Sequence, residues 1–191
     1  APSMEARHWK ALSMVCQSKT IDPADPKLSL AELLGLELHL HADDVAEIVD
    51  MANKEGKVDK KLKMIGNTWG GLELDFVQHG ETEIMTMKVS DEVVEFLEAH
   101  QLELQGMISQ GKSVNFFRTR VTGWQTTLGN CESVIKEWSS VCKTWGSLES
   151  IFLASADIRA QLPEDTKRFE GIDQEFKDLM KESTNTPNVV E

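Results

Sequence analysis

The chain has 191 residues, of which 40% are hydrophobic and 27% charged, and its formal net charge is −12. So acidic a balance excludes nucleic acid as a partner, because neutralising phosphates takes clustered Lys and Arg. No run approaches the 18 apolar residues that a membrane span needs, so no membrane partner is expected. No signal peptide is read at the start, and the odd number of cysteines (Cys16, Cys131, Cys142) without a C-x-x-C pair points to a reducing, intracellular compartment. The opening Ala1-Pro2-Ser3 and the polar end from Glu182 to Glu191 read as a piece of a longer protein with a flexible C-terminal tail over 183–191.

Apolar residues at Trp9, Leu12 and Cys16, flanked by Met4 and Val15, predict a first helix over 4–16. Pro23 and Pro26 make 21–27 a linker, and the leucine-rich stretch 28–40 predicts a short helix followed by an extended segment. Asp43 or Asp44 is suited to cap the next helix, whose stripe runs Val45, Ile48, Ala52 and restarts as Val58, Leu62, Ile65, Trp69. The phase slips at Glu55-Gly56-Lys57, which predicts a bend or a break.

From Leu72 to Val89 the period changes to two. Leu72, Leu74 and Phe76 alternate with Glu73, Asp75 and Val77; after Gly80-Glu81-Thr82-Glu83, Ile84, Met85, Met87 and Val89 resume. Such alternation on either side of a glycine-containing turn predicts a β-hairpin, and a lone hairpin must pack on helices to persist. Ser90 or Asp91 caps a helix with the stripe Val93, Leu97, Leu104, Ile108.

The longest periodic signal follows. Val114, Phe117, Val121, Trp124, Leu128, Cys131, Ile135, Trp138, Cys142, Trp145, Glu149 and Phe152 alternate in steps of three and four, and Glu149 alone is not apolar. That pattern marks a helix whose seam tracks a partner along its length, with a bend expected at Gly129-Asn130. Val134, Val141 and Leu148 form a second stripe, so a wide buried face is expected. Ser155 caps a short helix that stops before Pro163, and a last helix runs from about Glu164 to Lys181. The fold class expected is mainly α: an elongated rod of helical bundles with one inserted β-hairpin.

Little in the chain suggests catalysis. Gly106-Met-Ile-Ser-Gln-Gly111-Lys112-Ser113 matches the phosphate-loop pattern G-x-x-x-x-G-K-[ST]. A working phosphate loop follows a strand, however, and here the preceding segment has a helical period, so a turn between two helices is the better reading. His39 and His41 flank Leu40 with Asp43 near, but no third ligand stands at metal spacing; solvent-facing histidines are expected. Glu47, Asp50, Glu55 and Asp59 read as a solvated helix face. Trp69, Trp124, Trp138 and Trp145 occupy stripe positions, where core packing explains them. Neither a cofactor nor a metal is expected.

Several stretches together resemble the linker region of dynein heavy chains. They are His8-Trp9-Lys10, Glu47-Ile-Val-Asp-Met-Ala-Asn-Lys-Glu55, Lys61-Leu-Lys-Met-Ile-Gly-Asn-Thr-Trp69, Leu104-Gln-Gly-Met107, Val134-Ile-Lys-Glu-Trp138, Trp145-Gly-Ser-Leu-Glu-Ser-Ile-Phe152 and Ala156-Asp-Ile-Arg-Ala-Gln-Leu-Pro163. The likeness runs from about Arg7 to Met180 and looks closest to axonemal, outer-arm-like chains. It implies that 1–182 is a linker, or lever-arm, segment arching over a ring of AAA+ ATPase modules, with the ATP sites outside this stretch. It also implies that the angle of the linker supplies the power stroke of a minus-end-directed microtubule motor. The partners implied are the AAA+ ring of the same heavy chain, other dynein chains and microtubules, in the cytoplasmic cytoskeleton or the axoneme of a cilium or flagellum.

Two sets of site residues follow. The hairpin tip (His79, Gly80, Glu81, Thr82, Glu83) is short, polar and acidic; it is expected to project outward and, by resemblance, to touch the ring. Gly56, Gly70, Gly71 and Gly129 mark weak points of helical continuity and are candidate hinges, although glycine serves close packing equally well. The competing readings are a helical scaffold or tether, which predicts no hairpin and usually repeats, and a nucleotide-binding enzyme, which predicts ATP affinity through Lys112.

Overall fold

The computed structural model describes residues 2–18, 21–26 and 28–190. Among them are seven α-helices: α1 (Ala6–Val15), α2 (Leu30–Leu34), α3 (Ala42–Gly71), α4 (Asp91–Ile108), α5 (Arg118–Phe152), α6 (Ala156–Gln161) and α7 (Pro163–Ser183). Two strands, β1 (Asp75–Gln78) and β2 (Met85–Lys88), pair antiparallel with Phe76 opposite Met87 and Val77 opposite Thr86. The fold is mainly α with one β-hairpin. The chain divides into two compact units, Ala1–Met64 with Gly106–Val121, and Ile65–Gln105 with Thr122–Glu191.

In the first unit the supposed break at Gly56 does not exist: α3 runs unbroken for 30 residues. The stripe never slips, because Glu55 itself is a buried seam position, giving Ala52, Glu55, Val58 and Leu62 in steps of three and four. A carboxylate inside costs several kcal/mol unless paired, and α1 supplies the partners. Arg7 Nη2 donates to Glu55 Oε2 at 2.5 Å, and buried His8 Nε2 lies 3.1 Å from the same oxygen. The Arg7 guanidinium also lies 3.8 Å from the Phe116 ring centroid, a cation–π contact. Gly56 serves close packing there: a Cβ would meet Ser3 Cβ at 3.0 Å. Asp43 and Asp44 lie in the first turn of α3 rather than at its cap, where negative charge favours the helix dipole. The segment expected to be extended is instead a 3-10 turn, Leu38–His41.

In the second unit α4 begins as expected, with the Val93 amide donating to Ser90 Oγ at 3.4 Å. On α5 and α7, Trp145, Phe169, Phe176 and Met180 form one buried cluster, joined by Ile84 of the hairpin and by Trp138 and Phe152. Trp145 stacks on Phe176 with centroids 4.2 Å apart, and its Nε1 donates to Asp173 Oδ1 at 3.1 Å. The seam holds over α5, but the second stripe does not lie inside: Val134 and Val141 are exposed. Ser155 accepts from the Ile158 amide at the start of α6, and Pro163 occupies the first turn of α7, where a missing N–H costs nothing.

The described part of the stretch expected to be a flexible tail, 183–190, makes hydrogen bonds to the segment after α3. The Leu74 amide donates to Pro187 O at 2.7 Å, the Val189 amide to Leu72 O at 3.1 Å, and Glu73 bridges to Asn188. Asn188 Nδ2 also reaches Trp69 O (3.1 Å) and Gly70 O (3.3 Å), satisfying carbonyls that every helix leaves open at its C-terminus.

Candidate functional site

The turn joining β1 to β2 is built by its own hydrogen bonds. The His79 amide donates to Ile84 O at 2.8 Å, Thr82 Oγ1 donates to His79 O at 2.6 Å, and Gln78 Nε2 donates to Thr82 O at 2.6 Å. Gly80 stands at φ +58°, a conformation that a side chain strains. Gly80, Glu81 and Glu83 are exposed and Thr82 is half-buried.

His79 corrects the expected geometry, because it does not project. Its ring meets Trp145 edge-on at 4.8 Å between centroids, and its Nε2 lies 3.7 Å from Glu149 Oε2. The one polar position in the α5 seam is thus the carboxylate facing the hairpin. β2 packs against α7, with Met87 buried. Behind the hairpin, burial pushes the Cys142 thiol up from its ordinary pKa. The hairpin is consequently a seated element with an acidic tip, Glu81 and Glu83, carried on a clasp of His79, Trp145 and Glu149. Nothing in the local sequence signals that clasp; the isolated Glu149 in an otherwise apolar seam was the available clue.

The candidate hinges separate into different cases. Gly56 is a packing glycine. Gly70 and Gly71 end α3, with open space around each. Gly129 lies inside α5, also open, and helical structure continues through it. Of the four, only the pair at the end of α3 coincides with a helix terminus.

The phosphate-loop look-alike is a helix end. Gly106 lies in α4, the Gln110 amide donates to Met107 O at 3.1 Å, and Gly111 at φ +66° opens a 3-10 segment, Gly111–Phe117. Lys112 is exposed, whereas Ser113 is buried with its Oγ donating to Gln110 O. Gly106 follows fifteen residues of α4 rather than a strand, which is not the strand-to-loop context that a phosphate cradle requires. Among the described residues no group of three or more His, Cys, Asp or Glu could hold a metal ion. His39 is exposed and His41 half-buried on the 3-10 turn. Among the described residues no helix is long and apolar enough to cross a membrane.

A family model described as "Dynein heavy chain, N-terminal region 2" matches residues 1–191. The chain is 43% identical over 190 residues to the ciliary dynein beta chain of Heliocidaris crassispina and 45% identical over 190 residues to dynein axonemal heavy chain 17 of Mus musculus. It is 43% identical over 192 residues to the flagellar outer-arm dynein beta chain of Chlamydomonas reinhardtii. Each alignment covers 100% of this chain and 4% of the relative's length.

Proposed function

The chain belongs to the dynein heavy chain family, and we propose that it is a mechanical linker segment, coupling rearrangement of the AAA+ ring of the same heavy chain to the power stroke. The reading is carried by the full-length match to an N-terminal heavy-chain region. The parent motor works on microtubules beside the other chains of its complex. The ciliary, flagellar and axonemal names of its relatives place that work in the axonemal cytoskeleton. The segment itself carries no catalytic residue and takes no cofactor. A continuous helical seam suits this role, since a densely packed interior transmits strain rather than absorbing it.

The hairpin tip is the docking point. Glu81 and Glu83 project while His79 anchors the turn to α5, so a force on the tip passes directly to the longest helix. To bias the lever, the tip must engage the ring in some nucleotide states more than in others. The test is the charge reversal Glu81→Lys with Glu83→Lys in the full motor, with ATP turnover and microtubule gliding measured together. Gliding should fall while basal turnover persists. Normal gliding with normal turnover would make the tip structural and remove the docking reading.

A further inference from the structure

At the end of α7 the hydroxyl groups are not equivalent. Ser183 Oγ donates to Leu179 O at 2.7 Å and Thr184 Oγ1 to Lys181 O at 2.8 Å, so both are spent on carbonyls of the helix. Thr186 is exposed and lies in neither helix nor strand, and among the described residues its hydroxyl makes no hydrogen bond. Thr186 is also the only hydroxyl residue followed by proline: Pro2 follows Ala1, Pro23 and Pro26 follow Asp22 and Asp25, and Pro163 follows Leu162. Pro187 disfavours helical backbone at Thr186, which leaves the hydroxyl on an extended stretch of chain. Pro187 also has no N–H, so it fits an enzyme cleft that offers no acceptor at that point, where any other residue would bury an unpaired donor.

The residues after Thr186 fasten the end of α3. Pro187 O accepts from the Leu74 amide, Asn188 Nδ2 donates to Trp69 O and Gly70 O, and the Val189 amide donates to Leu72 O. Asn188 Oδ1 in turn accepts from the Val190 amide at 3.0 Å. This strap holds 72–74, the lead into β1. Its surroundings disfavour added negative charge. Thr186 lies two residues beyond Thr184, the C-cap of α7, at the negative end of a 21-residue helix. Glu182 lines the same depression as Thr186, and Glu73 pairs with Asn188. Of the nearby cations, Lys177 is committed to Asp173 at 2.5 Å, and Lys181 is exposed, where an ion pair is worth little.

We propose that Thr186 is a phosphorylation site for a proline-directed kinase, and that the added phosphoryl group unseats the strap from the end of α3. In the reaction Thr186 Oγ1 attacks the γ-phosphorus of ATP and the bond to the β–γ bridging oxygen breaks. ADP leaves, and the hydroxyl proton passes to a base of the kinase. The product carries about −1.5 to −2 charges at pH 7, beside Glu182 and the helix end, which repel them. Trp69 O and Gly70 O then lose their caps, and the lead into the hairpin loosens. Neither the strap nor the Thr-Pro pair depends on the lever role.

To test this, the full-length heavy chain is treated with Mg-ATP and a proline-directed kinase, as wild type, as Thr186→Val, which keeps a branched side chain without the hydroxyl, and as Pro187→Ala. Peptide mapping by mass spectrometry should place phosphate on Thr186 in the wild type, with at least roughly tenfold slower incorporation there in Pro187→Ala. Hydrogen exchange then reads the strap. Peptides covering Leu74 and Val189 should exchange roughly tenfold faster in the phosphorylated wild type than in Thr186→Val treated in the same way, because a loosened strap opens more often. Asn188→Ala, without kinase, should speed the peptide covering Leu74 in the same direction. No phosphate on Thr186, or equal phosphorylation of Pro187→Ala, overturns the site. Phosphate on Thr186 with unchanged exchange at Leu74 and Val189, or exchange at Leu74 unmoved by Asn188→Ala, overturns the release of the strap.

Discussion

Trp145 is where the second unit is most sensitive. Its indole is 3% exposed, stacked on Phe176, met edge-on by His79 and hydrogen-bonded through Nε1 to buried Asp173. Trp145→Ala removes all of this and should cost about 5 kcal/mol, the upper end for a buried Trp→Ala. Trp145→Phe is the more informative change, since it keeps a ring over Phe176 and deletes the N–H. A hydrogen bond to a charged partner is worth about 1.5–3 kcal/mol. Asp173 keeps Lys177 Nζ at 2.5 Å, so the carboxylate is not orphaned and the lower end applies. A double-mutant cycle of Trp145→Phe with Asp173→Ala in urea, read from midpoints at constant slope, should therefore give a coupling of about 1.5 kcal/mol. Trp138 supplies the comparison: it is half-buried, and among the described residues its buried Nε1 finds no hydrogen-bond partner. Trp138→Ala should cost roughly half as much as Trp145→Ala. A coupling below about 0.5 kcal/mol, within the usual additivity error, or a Trp138 loss exceeding that of Trp145, would refute this placement of the seam's anchor.

Gly129→Ala should stabilise the chain by about 0.5–1 kcal/mol, because the space around it is open and helix interiors favour alanine; a lower urea midpoint would mean that the glycine is needed for packing. Burial lowers the pKa of His100, so between that value and the unfolded value of about 6.5 the unfolded chain binds more protons and stability falls on acidification. His100→Gln keeps an acceptor for Trp69 Nε1, which donates to His100 Nδ1 at 3.0 Å, and the urea midpoint should lose part of its decline below pH 6.5; an unchanged pH profile would count against this. Calorimetric titration with Mg-ATP should give no saturable heat, and Lys112→Ala should change nothing; binding that disappears in Lys112→Ala would restore the phosphate-loop reading.

Periodicity made the helices and the hairpin legible because each rests on contacts repeated every three, four or two residues. It failed where one residue served two purposes. Glu55 looked like a solvated carboxylate that interrupted a stripe, because its partners Arg7 and His8 stand 48 and 47 residues away. Asn188 looked like tail, because its value lies in capping α3 from 119 residues on. The local sequence groups His79 with a projecting tip, although an aromatic ring next to a turn can fold back onto a flat partner, here Trp145. Val134 and Val141 show a further limit: a stripe says where apolar groups lie, and not what covers them. The candidate site was legible as a turn with two acids, but its anchoring to α5 was not.

The lever role is tested most directly by distance. In the full heavy chain, one fluorophore at Lys143→Cys and a second on the AAA+ ring report their separation by energy transfer under nucleotide-free, ADP and ATP conditions. A mechanical linker requires at least two distinct transfer efficiencies whose populations shift with nucleotide and alternate in step with turnover. A single efficiency, unchanged across all three conditions while ATP is hydrolysed, would show that this segment does not swing.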